Sequence, residues 1–184
     1  MAIPKERCDN KETIGKIVSV DQIPQAQVVD KSPVELYKIF SQLEILCDIL
    51  KGIGLNAVQV GQPWDMYVVR RSIGKPFEYY LYCKYRPLGE ETIASFEGCL
   101  SLVNSNGTPR YFRVNRYKKI RLIGQKLVTE GKLVVADVNM VLSIEEDGVF
   151  CVAHQHEADH TLSILVSEIG EEQHIQNIWE AKET

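Results

Sequence analysis

The feature that most restricts this chain is His156-Glu157-Ala158-Asp159-His160, which sits in an apolar stripe. From about Asp147 to Ser163 the pattern predicts a helix, on which Val149, Val152, Ala153, His156 and His160 fall on one continuous face. Side chains four apart on a helix lie one above the other, so the two imidazoles point the same way as the apolar residues, inward. Such a pair is either satisfied by hydrogen bonds in the core or holds a metal ion. The residue types fit the second use. Zinc or iron takes neutral imidazole nitrogens at about 2.0–2.1 Å, and a neighbouring carboxylate can accept and return the proton of a water.

The remaining periodicity frames that helix. Ser32-Pro33-Val34-Glu35 predicts a helix start, with Ser32 as cap, Pro33 in the first turn and Glu35 closing a capping box. Leu36, Ile39, Phe40, Leu43, Leu46, Cys47 and Leu50 continue at helical spacing until Gly52 stops the run. Asp65–Arg70, Phe77–Lys84, Ile120–Gly124 and Leu133–Val138 are short, rich in Val, Ile and Tyr, and read as strands. A last helix carrying Ile175, Ile178 and Trp179 on one face closes the chain. Strands grouped between helices, without strict alternation, predict an α+β fold. The expected architecture is a mainly antiparallel β-sheet packed around the central metal-binding helix, with an N-terminal helix and a C-terminal helix. No repeat, linker or shift of composition divides the chain, so residues 1–184 are read as one domain.

Composition removes several functional classes. No unbroken apolar run of about 18 residues occurs, so no membrane span is expected. The start, MAIPKERCDNKET, has neither the apolar centre of a secretory signal nor the Arg-rich, acid-poor character of a transit peptide, and a cytoplasmic location is expected. Cysteines at 8, 47, 83, 99 and 151 form no CxxC pair and are odd in number, which suits a reducing compartment and leaves a thiol free to act as ligand or nucleophile. A net charge of −4 gives no global reason for nucleic-acid binding. The basic, aromatic stretch Arg110–Arg121 reads as a solvated strand edge.

Two further segments change the meaning of the helix. Alone, Cys99 in Phe96-Glu97-Gly98-Cys99-Leu100-Ser101 would be a small buried hydrophobe, and Gln59 in Gly52–Gln59 (GIGLNAVQ) an exposed loop amide. Together, and in this order ahead of HEADH, the three segments resemble peptide deformylase, whose signatures are GxGLAAxQ, EGCLS and HExDH. The second and third are complete; the first has Asn56 where the family usually has alanine. The resemblance runs roughly from Ser32 to Ile169 and includes Glu145-Glu146-Asp147-Gly148-Val149 leading into the metal helix.

This resemblance implies a metallohydrolase that removes the formyl group from the N-terminal methionine of new polypeptides. It implies one divalent metal ion per chain, iron(II) in the cell, with zinc, nickel or cobalt as alternatives. Cys99, His156 and His160 would be the ligands and leave a fourth position to water. Glu157 would be general base and acid, and the Gln59 amide and Leu100 N–H would stabilise the oxyanion. The peptide would lie extended beside the strand after the first motif, at Ile53 and Gly54, with Glu97 nearby. Val149, Val152 and Ala153 would line its side-chain pocket or simply pack in the core. Arg116 matches a family arginine that pairs with the glutamate of EGCLS, here Glu97. The implied partners are formylmethionyl peptides or nascent chains, close to the ribosome, with no specific nucleic-acid contact and no membrane. Departures are Asn56, a longer Leu102–Arg113 segment, and Thr161-Leu162-Ser163 in place of the usual Leu-x-Gly. Two rivals remain: an HExxH metallopeptidase, disfavoured by the cysteine ligand, and a non-catalytic metal-containing relative that binds peptide ends.

Overall fold

The computed structural model describes residues 16–19, 22–103, 109–161 and 178–180. In chain order the elements are α1 (Pro33–Ile49), β1 (Gly54–Asn56), a 3-10 turn (Ala57–Val60), β2 (Met66–Val69), β3 (Glu78–Pro87), β4 (Thr92–Val103), β5 (Pro109–Tyr117), β6 (Lys119–Thr129), β7 (Leu133–Ser143), α2 (Ile144–Asp147), α3 (Val149–Thr161) and β8 (Ile178–Glu180). Helix α1 starts at the expected capping box. The Ser32 hydroxyl accepts from the Glu35 N–H, and the Glu35 carboxylate accepts from the Ser32 N–H at 3.0 Å. The left-handed residue that ends the helix is Lys51, at φ 54°, not Gly52. Gly52 is needed for room: a Cβ there would lie 2.8 Å from Cys47 Sγ.

Two antiparallel sheets form, in the orders β1-β2-β3-β6-β7 and β4-β5-β8. Strand β2 shows how the larger sheet is held, because all four of its residues are buried. Alternate side chains of a strand point to opposite faces. Met66 and Val68 join Leu36, Phe40, Leu43 and Cys47 of α1, while Tyr67 and Val69 join Phe150, Cys151 and Ala153 of α3. The sheet is therefore covered by α1 on one face and by α3 on the other.

The α+β fold, the N-terminal helix and the helix that carries His156 and His160 agree with expectation; four details differ. The helix expected over Asp147–Ser163 is two, α2 and α3, broken at Gly148, whose φ of 54° and ψ of −126° a residue with a Cβ adopts only under strain. Strand β4 was not expected. Ile178 and Trp179 lie in β8, paired with Val114 and Arg113 of β5, so they are extended and not on a helix face; Ile175 lies outside the described residues. Arg110–Arg121 spans β5 and the start of β6, each of which has neighbours on both sides, so neither is a sheet edge. No helix among the described residues is long and apolar enough to cross a membrane.

The placement of α1 is testable. Leu43 is fully buried and Ile45 is 61% exposed. Leu43→Ala is expected to lower unfolding stability by about 2–5 kcal/mol and Ile45→Ala by about 0.5 kcal/mol or less, measured by urea titration. Equal losses would place α1 the other way round.

Candidate metal centre

Three donors converge between α3 and β4. Cys99, His156 and His160 each present one ligand atom, all within 4.8 Å of one another. His160 Nε2 lies 3.1 Å from His156 Nε2 and 3.4 Å from Cys99 Sγ. Ligands at about 2.0–2.3 Å from a tetrahedral centre stand about 3.3–3.6 Å apart, so the spacing fits a first-row divalent cation after small adjustment. Two imidazole nitrogens at 3.1 Å also need a proton or a cation between them. Burial opposes charge on both rings. Hydrogen bonds to Cys99 and Glu97 nevertheless hold the His156 pKa well above the usual range, whereas burial and the neighbouring His156 and Arg116 charges push His160 well below it.

A shell of polar groups fixes the ligands. His156 Nδ1 donates to Glu97 Oε2 at 2.8 Å, which turns Nε2 toward the cluster. Glu97 in turn accepts from Arg116 Nε at 2.7 Å and Nη2 at 2.6 Å. Arg116 also binds Asp159 through Nη1, and Asp159 accepts from the Tyr85 hydroxyl at 2.9 Å. Burial works to raise the Glu97 pKa, but the Arg116 and His156 hydrogen bonds outweigh it and hold the carboxylate well below its usual range. The expected Arg116–Glu97 pair is therefore present, and it reaches His156.

Glu157 stands beside the cluster, 3% exposed, with no partner for Oε2 among the described residues. Burial pushes its pKa up to about 7. Gly54 makes the space, since a Cβ there would lie 2.4 Å from Glu157 Oε1. Gln59 approaches from the 3-10 turn. Its Oε1 accepts the Asn56 N–H at 2.9 Å, which settles the orientation of the amide, and Nε2 then points to Cys99 Sγ at 3.6 Å.

The other expected residues are placed as follows. Leu100 lies where the β4–β5 register breaks, between Cys99↔Arg110 and Val103↔Pro109, and its side chain packs on the α1 cluster. The Ile53 carbonyl accepts from the Arg70 N–H at 2.8 Å. Glu97, expected beside the peptide, has both oxygens engaged by Arg116 and His156. Val149 is 48% exposed at the start of α3, Val152 is half-buried, and Ala153 packs with Phe150 and Cys151. Residues 104–108 of the longer segment lie outside the described residues. Asp159 and Tyr85 escaped the sequence reading as contributors. Asp159 had a signal, its place between the two histidines; Tyr85 had none, because only the pairing of β3 brings it there.

Comparison with known proteins adds an independent line. A family model described as polypeptide deformylase matches residues 20–173. A peptide deformylase of Caulobacter vibrioides is 29% identical over 163 residues, which cover 83% of this chain and 85% of that protein. Among solved structures, a probable peptide deformylase from a Synechococcus phage has a TM-score of 0.62 at 26% identity, covering 83% of this chain and 97% of its own. The class I type b peptide deformylase of Acinetobacter baumannii has a TM-score of 0.65 at 20% identity, covering 85% and 99%, a likeness of fold.

The buried ion network predicts a stability effect. Arg116→Met leaves two buried carboxylates without their cation and is expected to cost about 3–5 kcal/mol at pH 7 in urea unfolding. Because Glu97 is depressed in the folded state, its stabilisation is present above about pH 4.3 and is lost as pH falls further. With metal chelated throughout, the variant is expected to lose less stability than the parent between pH 5 and about pH 3. Identical acid losses in the two proteins would contradict the assigned role of Arg116.

Proposed function

Because the chain belongs to the polypeptide deformylase family, we propose that it removes the formyl group from the N-terminal formylmethionine of newly made polypeptides, using one divalent metal ion held by Cys99, His156 and His160. The observation that carries this reading is the convergence of one thiol and two imidazoles beside a buried carboxylate. Three protein ligands leave a coordination position open, as catalytic sites require. A divalent cation bound there supplies Lewis acidity and brings the pKa of water near neutrality. We assign iron(II) as the cellular metal; zinc, nickel and cobalt suit the same donor set.

The chain's own residues do the rest. Glu157, buried and poised near neutrality, accepts the proton of the attacking water and returns it to the leaving amine as the formyl C–N bond breaks. Formate and a free N-terminal amine are the products. The Gln59 amide, turned by its bond to the Asn56 N–H, and the Leu100 N–H donate to the oxygen that gains charge in the transition state. Strand β1 is outermost in its sheet, so an extended peptide can add beside Gly54 by β-augmentation. Val149 and Val152 supply an apolar wall for the methionine side chain. The expected substrates are formylated peptides and nascent chains in the cytoplasm, near the ribosome, without specific nucleic-acid contact.

Formate release from a formyl-Met peptide by the metal-loaded protein tests this reading, and cleavage between residues without formate would favour the metallopeptidase rival. Cys99→Ala and His156→Ala are expected to lose the metal, whereas Glu157→Ala keeps it and loses turnover. Full metal content with normal turnover in Cys99→Ala would overturn the ligand assignment. Gln59→Ala should keep its metal and lower kcat by about 10²–10³.

A further inference from the structure

We propose that Asn56, which stands where the family usually has alanine, is a positioning residue that ties the Gln59 turn to the backbone of α3 at Glu157. This rests on the roles assigned above to Gln59 and Glu157. Asn56 is fully buried, and its side chain is spent on two tasks. Its Oδ1 accepts the Val58 N–H at 3.1 Å and caps the 3-10 turn. Its Nδ2 donates to the Glu157 carbonyl at 2.9 Å, across 101 residues of sequence. One short, rigid amide thus spans the element that carries the transition-state donor and the element that carries the proton carrier. Its own N–H completes the arrangement by holding Gln59 Oε1 at 2.9 Å.

Alanine at this position keeps the last of these bonds, which belongs to the backbone, and loses the other two. The Val58 N–H would then be buried without its acceptor, and the turn would be free to move relative to α3. A donor that stabilises charge only in the transition state works by being in place beforehand. Loss of the tie therefore acts on kcat and leaves peptide binding and metal affinity alone.

The test uses Asn56→Ala and Asn56→Ser in the full, metal-loaded chain. Three quantities are read: metal content, kcat and KM separately on a formyl-Met peptide, and amide hydrogen exchange at Val58. Asn56→Ala is expected to speed Val58 exchange by about five- to tenfold and to lower kcat by about tenfold, with KM within about twofold and metal unchanged. Serine can accept the Val58 N–H but is too short to reach Glu157, so Asn56→Ser is expected to restore Val58 protection and recover part of kcat. Unchanged kcat in both variants, unchanged Val58 exchange in Asn56→Ala, or a kcat loss that tracks metal loss would each overturn the proposal. Should Asn56→Ala not fold, the serine variant decides by the same three readouts. Should the parent chain release no formate, the reading of its function fails, while the exchange measurement still decides whether Asn56 holds the turn.

Discussion

One guanidinium organises the centre of this molecule. Arg116, on β5, is 2% exposed and is shared by Glu97 of β4 and Asp159 of α3. Removing three charges from water carries a desolvation cost that their attraction offsets only when the geometry is good. Here it is good, because Glu97 meets the fork of Arg116 with two hydrogen bonds. What the arrangement secures is direction more than stability. The same Glu97 carboxylate accepts a hydrogen bond from the Nδ1–H of His156 and thereby fixes which nitrogen faces Cys99 and His160. Strand β4, helix α3 and the orientation of His156 are thereby linked through one cation.

The network also explains how so polar a helix can be buried. His154, Gln155, Glu157, Asp159 and His160 of α3 are all 5% exposed or less. Most of their polar atoms find a partner in place of water, whereas Glu157 Oε2, His154 Nε2 and His160 Nδ1 have none among the described residues. His154 Nδ1 meets the Tyr67 hydroxyl at 2.8 Å, and Gln155 bonds both the N–H and the carbonyl of Tyr117, as a neighbouring strand would. The helix is thus fastened to both sheets by polar contacts, and His156 and His160 sit within that fastening.

This is also why the sequence told part of the story. The face through Val149, Val152, Ala153, His156 and His160 was legible because apolar spacing reports one buried side. It could not report that Phe150, Cys151, His154, Gln155 and Ala158 are buried as well, since a helix enclosed on several sides has no simple stripe. Helix α1 was legible down to its cap, because it buries one face and leaves Val34, Ile45 and Ile49 in solvent. Strands β2, β3, β6 and β7 were seen, though shorter than three of them are. Strand β4 was missed, and β5 was read only as a solvated edge, because inward positions such as Glu97 and Arg116 carry charge, and their partners come from other strands and from α3. The convergence of Cys99, His156 and His160 was legible through the motifs, whereas Tyr85 depends on the pairing of β3.

Gly54 shows how space and charge are joined at the site. Its φ lies outside the left-handed region, so conformation does not call for glycine there. Space does, since a Cβ would lie 2.4 Å from Glu157 Oε1, too close for both to stay. Moving Glu157 outward would return it to water and let its pKa fall toward the ordinary carboxylate value; burial is what brings it to about 7. A stronger tendency to hold a proton makes it a better base, and a cation on Cys99, His156 and His160 would draw the value back down and keep the carboxylate ionised for use. The outer edge of β1 is a separate matter, since side chains leave a strand perpendicular to its hydrogen-bonding edge, and it is open to an extended peptide because β1 is the outermost strand of its sheet. On the function proposed above, the space at Gly54 therefore serves Glu157 and the edge position of β1 serves the approach of the peptide, and a side chain at Gly54 would displace the carboxylate from the burial that raises its pKa.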